Sequence, residues 1–69
     1  MSICQGKESW PELVGVSGEE AVKVIEEENS FVTAIIVSIY QPVVGPFICS
    51  RVRVPVNLKG IVVFTPKVG

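Results

Sequence analysis

A single strong helix start constrains the fold of this sequence more than any other feature. In Ser17-Gly18-Glu19-Glu20, the Ser17 hydroxyl can cap the first free amides of a helix, and the Glu20 carboxylate can reach back to the Ser17 amide. Apolar residues then recur at the spacing of one helical face, at Ala21, Val24 and Ile25. Asn29 is of a type that often ends a helix. We therefore predict one helix between Ser17 and Asn29.

The chain after this helix is rich in β-branched residues and predicts three strands. Residues 31–40 form a continuous run rich in β-branched residues, which predicts a strand buried on both faces. Residues 51–56 alternate between polar and apolar, as a half-buried strand does. Residues 57–60 predict a turn into a third strand at 61–65, which favours an antiparallel hairpin, whereas the long connection before residue 51 permits the first two strands to be parallel. The expected fold is one α+β domain over residues 1–69, with the helix on one face of a small mixed β-sheet and a long loop.

That loop, residues 41–50, combines strand-breaking residues with apolar ones. Pro42, Gly45 and Pro46 interrupt any strand. If the loop is exposed, its apolar side chains form a contact surface for another protein. The alternative is a loop folded over the core of its own domain, and composition does not decide between the two. The apolar residues are Val43, Val44, Phe47 and Ile48.

The residue inventory argues against an enzyme. The chain has no His and no Asp, so neither a Ser-His-Asp nor a Cys-His arrangement can be assembled. All seven Glu lie in the first 28 residues, where they fit a solvated helix face. We therefore expect no enzymatic activity, no cofactor and no metal site. A net charge of −1 without a basic patch argues against nucleic acid, and no stretch approaches the length of a membrane span.

The two cysteines make the cellular compartment important. Cys4 and Cys49 lie 45 positions apart without any His, which is a poor zinc site. They form either one disulfide, worth roughly 4 kcal/mol, or two free thiols, depending on the redox environment. The first seven residues lack the apolar core of a signal peptide. The compartment stays open: cytoplasmic if the chain is made in this form, secreted or vacuolar if a signal has been removed.

Five segments keep the order and spacing of a known family: Cys4-Gln-Gly-Lys7, Trp10-Pro-Glu-Leu-Val-Gly15, Ser17-x-Glu-Glu-Ala21, Arg51-Val-Arg-Val54 and Pro66-Lys-Val-Gly69. Together they resemble the potato inhibitor I family of serine protease inhibitors over nearly the whole chain. The two cysteines lie where a plant subset of that family carries its single disulfide. The resemblance therefore implies a Cys4–Cys49 bond.

The resemblance also implies a mechanism. Such an inhibitor presents residues 41–50 to a protease in the shape of a substrate, and the enzyme binds the loop tightly but hydrolyses it very slowly. Because the loop is ordered on folding, little ordering entropy is lost on binding. The scissile bond corresponds to Gly45–Pro46, and the arginines that brace the loop correspond to Arg51 and Arg53. The implied partner is a subtilisin-like or chymotrypsin-like serine protease, with a role in plant defence and the wound response. The other binding-loop positions are Pro42, Val43, Val44, Phe47 and Ile48.

The loop departs from the family at informative positions. Gly45 offers no side chain to a specificity pocket, Pro46 replaces an acidic residue that the brace binds, and Val44 replaces a Thr. Arg51 and Arg53 would therefore need backbone carbonyls as partners. Two hypotheses follow. One is a monomeric inhibitor with an unusual loop. The other is a non-inhibitory module whose apolar loop binds another protein or a second copy of the chain.

Overall fold

One α-helix and three short strands form the regular structure of the computed structural model, which describes residues 4–41 and 45–69. A short 3₁₀ helix at Pro11–Leu13 precedes helix α1 (Gly18–Glu28). The strands are β1 (Thr33–Ser38), β2 (Arg51–Val56) and β3 (Lys67–Val68). Within the described ranges, no helix is long and apolar enough to cross a membrane.

Helix α1 begins and ends where the local signals predict. The Ser17 Oγ accepts a hydrogen bond from the Glu20 amide at 3.2 Å, which satisfies one of the free amides of the first turn. The Asn29 amide donates to the Ile25 carbonyl at 2.9 Å and closes the last turn. The reciprocal bond from the Ser17 amide to the Glu20 carboxylate is not formed among the described residues, so only half of the predicted capping box is present.

The strands form one mixed sheet in the order β1-β2-β3. β1 and β2 are parallel, with Thr33 opposite Arg51. β2 and β3 are antiparallel, with Arg53 opposite Lys67. The long loop between β1 and β2 supplies the crossover that a parallel pair requires. The predicted α+β fold, with one helix on a small mixed sheet, is confirmed.

The hydrophobic core lies between α1 and one face of this sheet. Along β2, buried residues alternate with half-buried ones, because successive side chains of a strand point to opposite faces. Trp10 and Ile25 are completely buried in the same core. The buried valines of β2 are Val52, Val54 and Val56. Arg51, Arg53 and Pro55 therefore share the opposite face, away from the helix.

The prediction that the first strand is buried on both faces is wrong. β1 spans only Thr33–Ser38, and Ile35 and Ile36 are 40% and 48% exposed. The reason is the order of the sheet. β1 is an edge strand, α1 covers only one of its faces, and in the strand itself only Ala34 is buried.

The third strand is also not where the sequence predicted it. The turn at residues 57–60 is present, and Gly60 donates to the Asn57 carbonyl at 2.9 Å. Residues 61–65, however, make only isolated bridges, from Ile61 to Ser17 and from Val62 to Val56. The segment shares its backbone hydrogen bonds between β2 and the chain just before α1, so no continuous ladder forms. The strand that pairs with β2 is Lys67–Val68.

The acidic run at the end of α1 connects the helix to the rest of the fold. The Glu26 Oε2 accepts a hydrogen bond from the Ala34 amide at 2.9 Å, at the unpaired edge of β1. The Glu28 Oε1 accepts from the Trp10 Nε1 at 2.9 Å and from the Lys7 Nζ at 2.9 Å. These carboxylates fix the N-terminal segment and the edge strand to the helix end.

Candidate functional site

The connection between β1 and β2 is exposed in most of its described part, with Ile39 and Cys49 half-buried. Gly45 and Pro46 are exposed, and Phe47 and Ile48 expose 63% and 37% of their surface. The predicted loop residues Pro42, Val43 and Val44 lie outside the described residues. Over residues 45–48, the alternative of a loop folded over its own core is wrong. These side chains are available to a partner.

Arg51, at the start of β2, connects this loop to the end of the chain. Its Nη2 donates to the Pro46 carbonyl oxygen at 2.7 Å, and its Nε donates to the Gly69 carbonyl oxygen at 2.7 Å. The Gly69 amide donates back to the Arg51 carbonyl at 2.9 Å. A planar guanidinium can make both bonds at once because its N–H groups point in fixed, different directions. The partner on the loop is a backbone carbonyl, as expected for a loop without side-chain acceptors.

Arg53 does not reach the loop in this way. It lies two residues further along β2 on the same face, yet its side chain makes no hydrogen bond or ion pair within residues 4–41 and 45–69. Of the two predicted supports, the structure brings Arg51 together with the loop and leaves Arg53 without a bonded partner among the described residues.

The far side of the loop is anchored by the disulfide. Cys4 and Cys49 are bonded, with sulfur atoms 2.06 Å apart and Cα atoms 5.2 Å apart. The bond connects the end of the loop to the N-terminal segment, which Asn29 holds in turn through hydrogen bonds from its Nδ2 to the carbonyls of Gln5 and Lys7. The disulfide that the resemblance implied is confirmed.

The Phe47 ring lies against the last residue of the sequence. A Cβ built on Gly69 would be 3.3 Å from the Phe47 Cδ2, so a larger residue at Gly69 would displace the ring. Phe47 and Arg51 therefore both lie against Gly69, and the loop is supported by Gly69 as well as by β2.

Comparison with known proteins identifies the family of this chain. The model of the potato inhibitor I family matches residues 3–69. The chain belongs to the potato inhibitor I family. A relative from Momordica charantia named Glu S.griseus protease inhibitor is 53% identical over 68 residues, covering 99% of this chain and all of the relative. Wound-induced proteinase inhibitor 1 from Solanum peruvianum is 46% identical over 68 residues, covering 97% of this chain and 61% of the relative.

The same fold is found in a solved member of the family. The crystal structure of bitter gourd trypsin inhibitor superposes with a TM-score of 0.93 at 48% identity, covering 99% of this chain and all of that one. The family consists of protease inhibitors, which are not enzymes. This confirms the expectation that the domain is not an enzyme.

As a potato inhibitor I member, the chain has an unusual backbone at Gly45. Gly45 has a φ of +127°, a value that residues with a side chain rarely adopt, and nothing lies within 4 Å of the position of a Cβ. Extended β backbone has φ near −120° to −140°. At +127° the backbone of Gly45 is therefore outside the extended conformation. The glycine in the sequence indicates that the backbone at position 45 has conformational freedom, but the sequence does not predict the φ angle.

Charge is divided between the two ends of this inhibitor sequence. All the acidic side chains lie within the first 28 residues, whereas residues 29–69 carry two Arg and two Lys and no acidic side chain. The loop itself, residues 41–50, has no charged side chain, and the strand that supports it carries the positive charge of Arg51 and Arg53. Among the described residues, no group of three or more acidic, Cys or His side chains could hold a metal ion.

Proposed function

We propose that this chain inhibits a serine protease by presenting residues 41–50 to the active site, with the Gly45–Pro46 bond in the position of the scissile bond. The observation that carries the proposal is the hydrogen bond from the Arg51 Nη2 to the Pro46 carbonyl oxygen. It holds the loop immediately after the proposed scissile bond. Family membership and the names of the relatives support the same function.

The mechanism depends on how much of the loop is ordered before it meets the enzyme. The Arg51 bond and the Cys4–Cys49 disulfide restrict the segment after the scissile bond. Conformational entropy that the loop loses on folding is not lost again on binding, so this restriction favours a tight complex. Gly45 is the exception, because its backbone retains freedom that binding must remove.

The identities of Gly45 and Pro46 define the enzymes that the loop suits. A glycine leaves the specificity pocket unfilled, so binding must come from the rest of the loop, where Phe47 and Ile48 are exposed. Pro46 has no N–H to donate to the enzyme. Serine proteases usually cut the peptide bond before a proline poorly. The proposed partner is therefore a subtilisin-like enzyme, or a chymotrypsin-like enzyme that accepts small side chains. The wound-induced relative supports a role in plant defence and the wound response.

The alternative, a non-inhibitory interaction module on the same fold, receives no support from the relatives. Those named above are all inhibitors. The apolar side chains that the alternative would use, Phe47 and Ile48, belong to the same loop that the proposed function places in the protease.

Inhibition constants against subtilisin, elastase, chymotrypsin and trypsin test the proposal. We expect measurable inhibition of subtilisin or elastase. We expect no nanomolar inhibition of trypsin, because no Lys or Arg lies between Tyr40 and Ser50 to fill its pocket. An intact, disulfide-bonded protein that inhibits none of the four enzymes would contradict the proposal.

A variant with the family's usual loop residues tests whether any weak inhibition is due to the loop or to the rest of the domain. In the triple variant Val44→Thr, Gly45→Leu and Pro46→Asp, the new hydroxyl and carboxylate can accept hydrogen bonds from Arg51 and Arg53. Leu disfavours the positive φ and fills an apolar pocket. Inhibition of chymotrypsin or subtilisin should improve at least about 100-fold, roughly 2.7 kcal/mol.

Two further variants show how much of the improved inhibition comes from pocket filling and how much from the arginine brace. Gly45→Leu alone measures pocket filling without the brace, and Arg53→Ala in the triple variant should remove the part due to the brace. A triple variant that folds normally and remains inert would show that the scaffold does not support inhibition.

A further inference from the structure

Two cations face one another on the sheet without an anionic partner. Arg53 and Lys67 are directly opposite in the antiparallel β2–β3 pair, a position at which Cβ atoms lie about 4.5–5.5 Å apart. Like charges at such positions repel and destabilise the pair. Among the described residues, neither side chain makes an ion pair or a hydrogen bond.

These two side chains line the same open cavity, of about 290 Å³. Thr65, which lies just before β3, brings a hydroxyl that can donate a hydrogen bond. The apolar part of the lining comes from Val37, Pro55 and Val68. Lys67 is exposed, whereas Arg53 is half-buried, and charges interact more strongly where water is partly excluded. Gly69 completes the lining.

The surrounding charge is positive as well. Arg51 lies on the same face of β2, and residues 29–69 carry no acidic side chain. A carboxylate on Gly69, where the sequence ends, would offset one of the three positive charges of Arg51, Arg53 and Lys67 and leave two.

From this arrangement we propose that the cavity between Arg53 and Lys67 is a binding site for a small oxyanion. The planar guanidinium of Arg53 can donate two parallel N–H bonds to two oxygens of one anion. The Lys67 ammonium can approach from the opposite strand as a compact charge, and the Thr65 hydroxyl can donate to a third oxygen. Phosphate, sulfate and carboxylate share this chemistry. Bound anion also removes the repulsion between the two strands. The site does not depend on protease inhibition.

The test is an NMR titration of the intact, disulfide-bonded protein with inorganic phosphate, with chloride exchanged to keep the ionic strength constant. We expect saturable shifts centred on the Arg53 side-chain N–H and on the amides of Thr65 and Lys67. Parallel titrations with sulfate and acetate distinguish a site for tetrahedral anions from a site for carboxylates. Preference for phosphate and sulfate assigns a tetrahedral anion, and equal binding of acetate assigns a carboxylate.

Matched variants make the test specific. Arg53→Gln and Lys67→Gln should each weaken phosphate binding at least about tenfold, whereas Lys67→Arg, which keeps the charge, should retain it. Lys59→Gln removes an exposed lysine outside the cavity and should change nothing. Shifts that do not saturate, or that weaken equally in the Lys59 variant, would overturn the proposal, as would unchanged affinity in a folded Arg53 variant.

Discussion

Replacing Arg51 tests whether its two hydrogen bonds order the binding loop. In Arg51→Ala, the Pro46 and Gly69 carbonyl oxygens both lose a donor at 2.7 Å. Hydrogen bonds from charged groups contribute about 1.5–3 kcal/mol each, and the lower value applies because this site is partly open to solvent. The loss of both bonds is therefore worth about 3 kcal/mol, or about 150-fold in an equilibrium constant. Arg51→Lys should fall in between, because one ammonium cannot span both oxygens.

The same substitution at Arg53 is the matched control. Arg53 lies on the same strand and the same face, and it bonds no described residue of the loop. In phosphate-free buffer, Arg53→Ala should weaken inhibition by less than about threefold, since loss of a half-buried charge without a bonded partner among the described residues is worth a few tenths of a kcal/mol.

Inhibition constants for subtilisin and urea unfolding of each variant give the comparison. We expect about half of the Arg51 effect in the inhibition constant, because the Pro46 bond orders the loop, and about half in stability through the bond to Gly69. Equal losses for Arg51→Ala and Arg53→Ala would refute the reasoning, because the asymmetry between the two arginines would then have no functional consequence.

Three further predictions concern stability. Reduction of the Cys4–Cys49 bond, which closes a separation of 45 residues, removes a chain-entropy contribution of about 4 kcal/mol; even half of this should lower the melting temperature by about 10 °C or more. Ser17→Ala leaves the Glu20 amide without its acceptor and should cost about 1 kcal/mol by urea unfolding, and a change below about 0.3 kcal/mol would show that the cap is unimportant. The Lys7 ammonium lowers the pKa of the Glu12 carboxyl by hydrogen bonding. The stability difference between wild type and Glu12→Gln should therefore be present at neutral pH, disappear as pH falls through that lowered pKa, and shrink with added salt.

Features set by neighbouring residues could be predicted from the sequence. The cap at Ser17 and the stop at Asn29 are local, and each is where its residue type indicated. The length of the loop between β1 and β2 permitted the parallel pairing that the structure shows. The resemblance supplied the disulfide, which the residues alone left open.

Features that depend on contacts between distant parts of the chain could not be predicted from the sequence. The exposure of Ile35 depends on β1 being the edge strand, which only the completed sheet decides. The hydrogen bond from Ala34 to Glu26 joins residues whose relation exists only after the helix has packed. The segment 61–65 has strand composition, yet the chain before α1 competes for its backbone groups.

The candidate site shows the same limit at the level of single side chains. Both Arg51 and Arg53 fit the brace positions, but among the described residues only Arg51 donates hydrogen bonds to Gly69 and Pro46. The backbone angle of Gly45 depends on how the whole loop closes. No motif encodes it.

A crystal structure of the disulfide-bonded protein with subtilisin tests the central claim most directly. We predict that the Gly45 carbonyl carbon faces the catalytic serine, that Gly45 has rotated to a negative φ, and that Arg51 still donates to the Pro46 carbonyl oxygen. A complex in which Phe47 fills the specificity pocket, or in which the enzyme binds a face other than residues 41–50, would contradict the assignment of Gly45–Pro46 as the reactive bond.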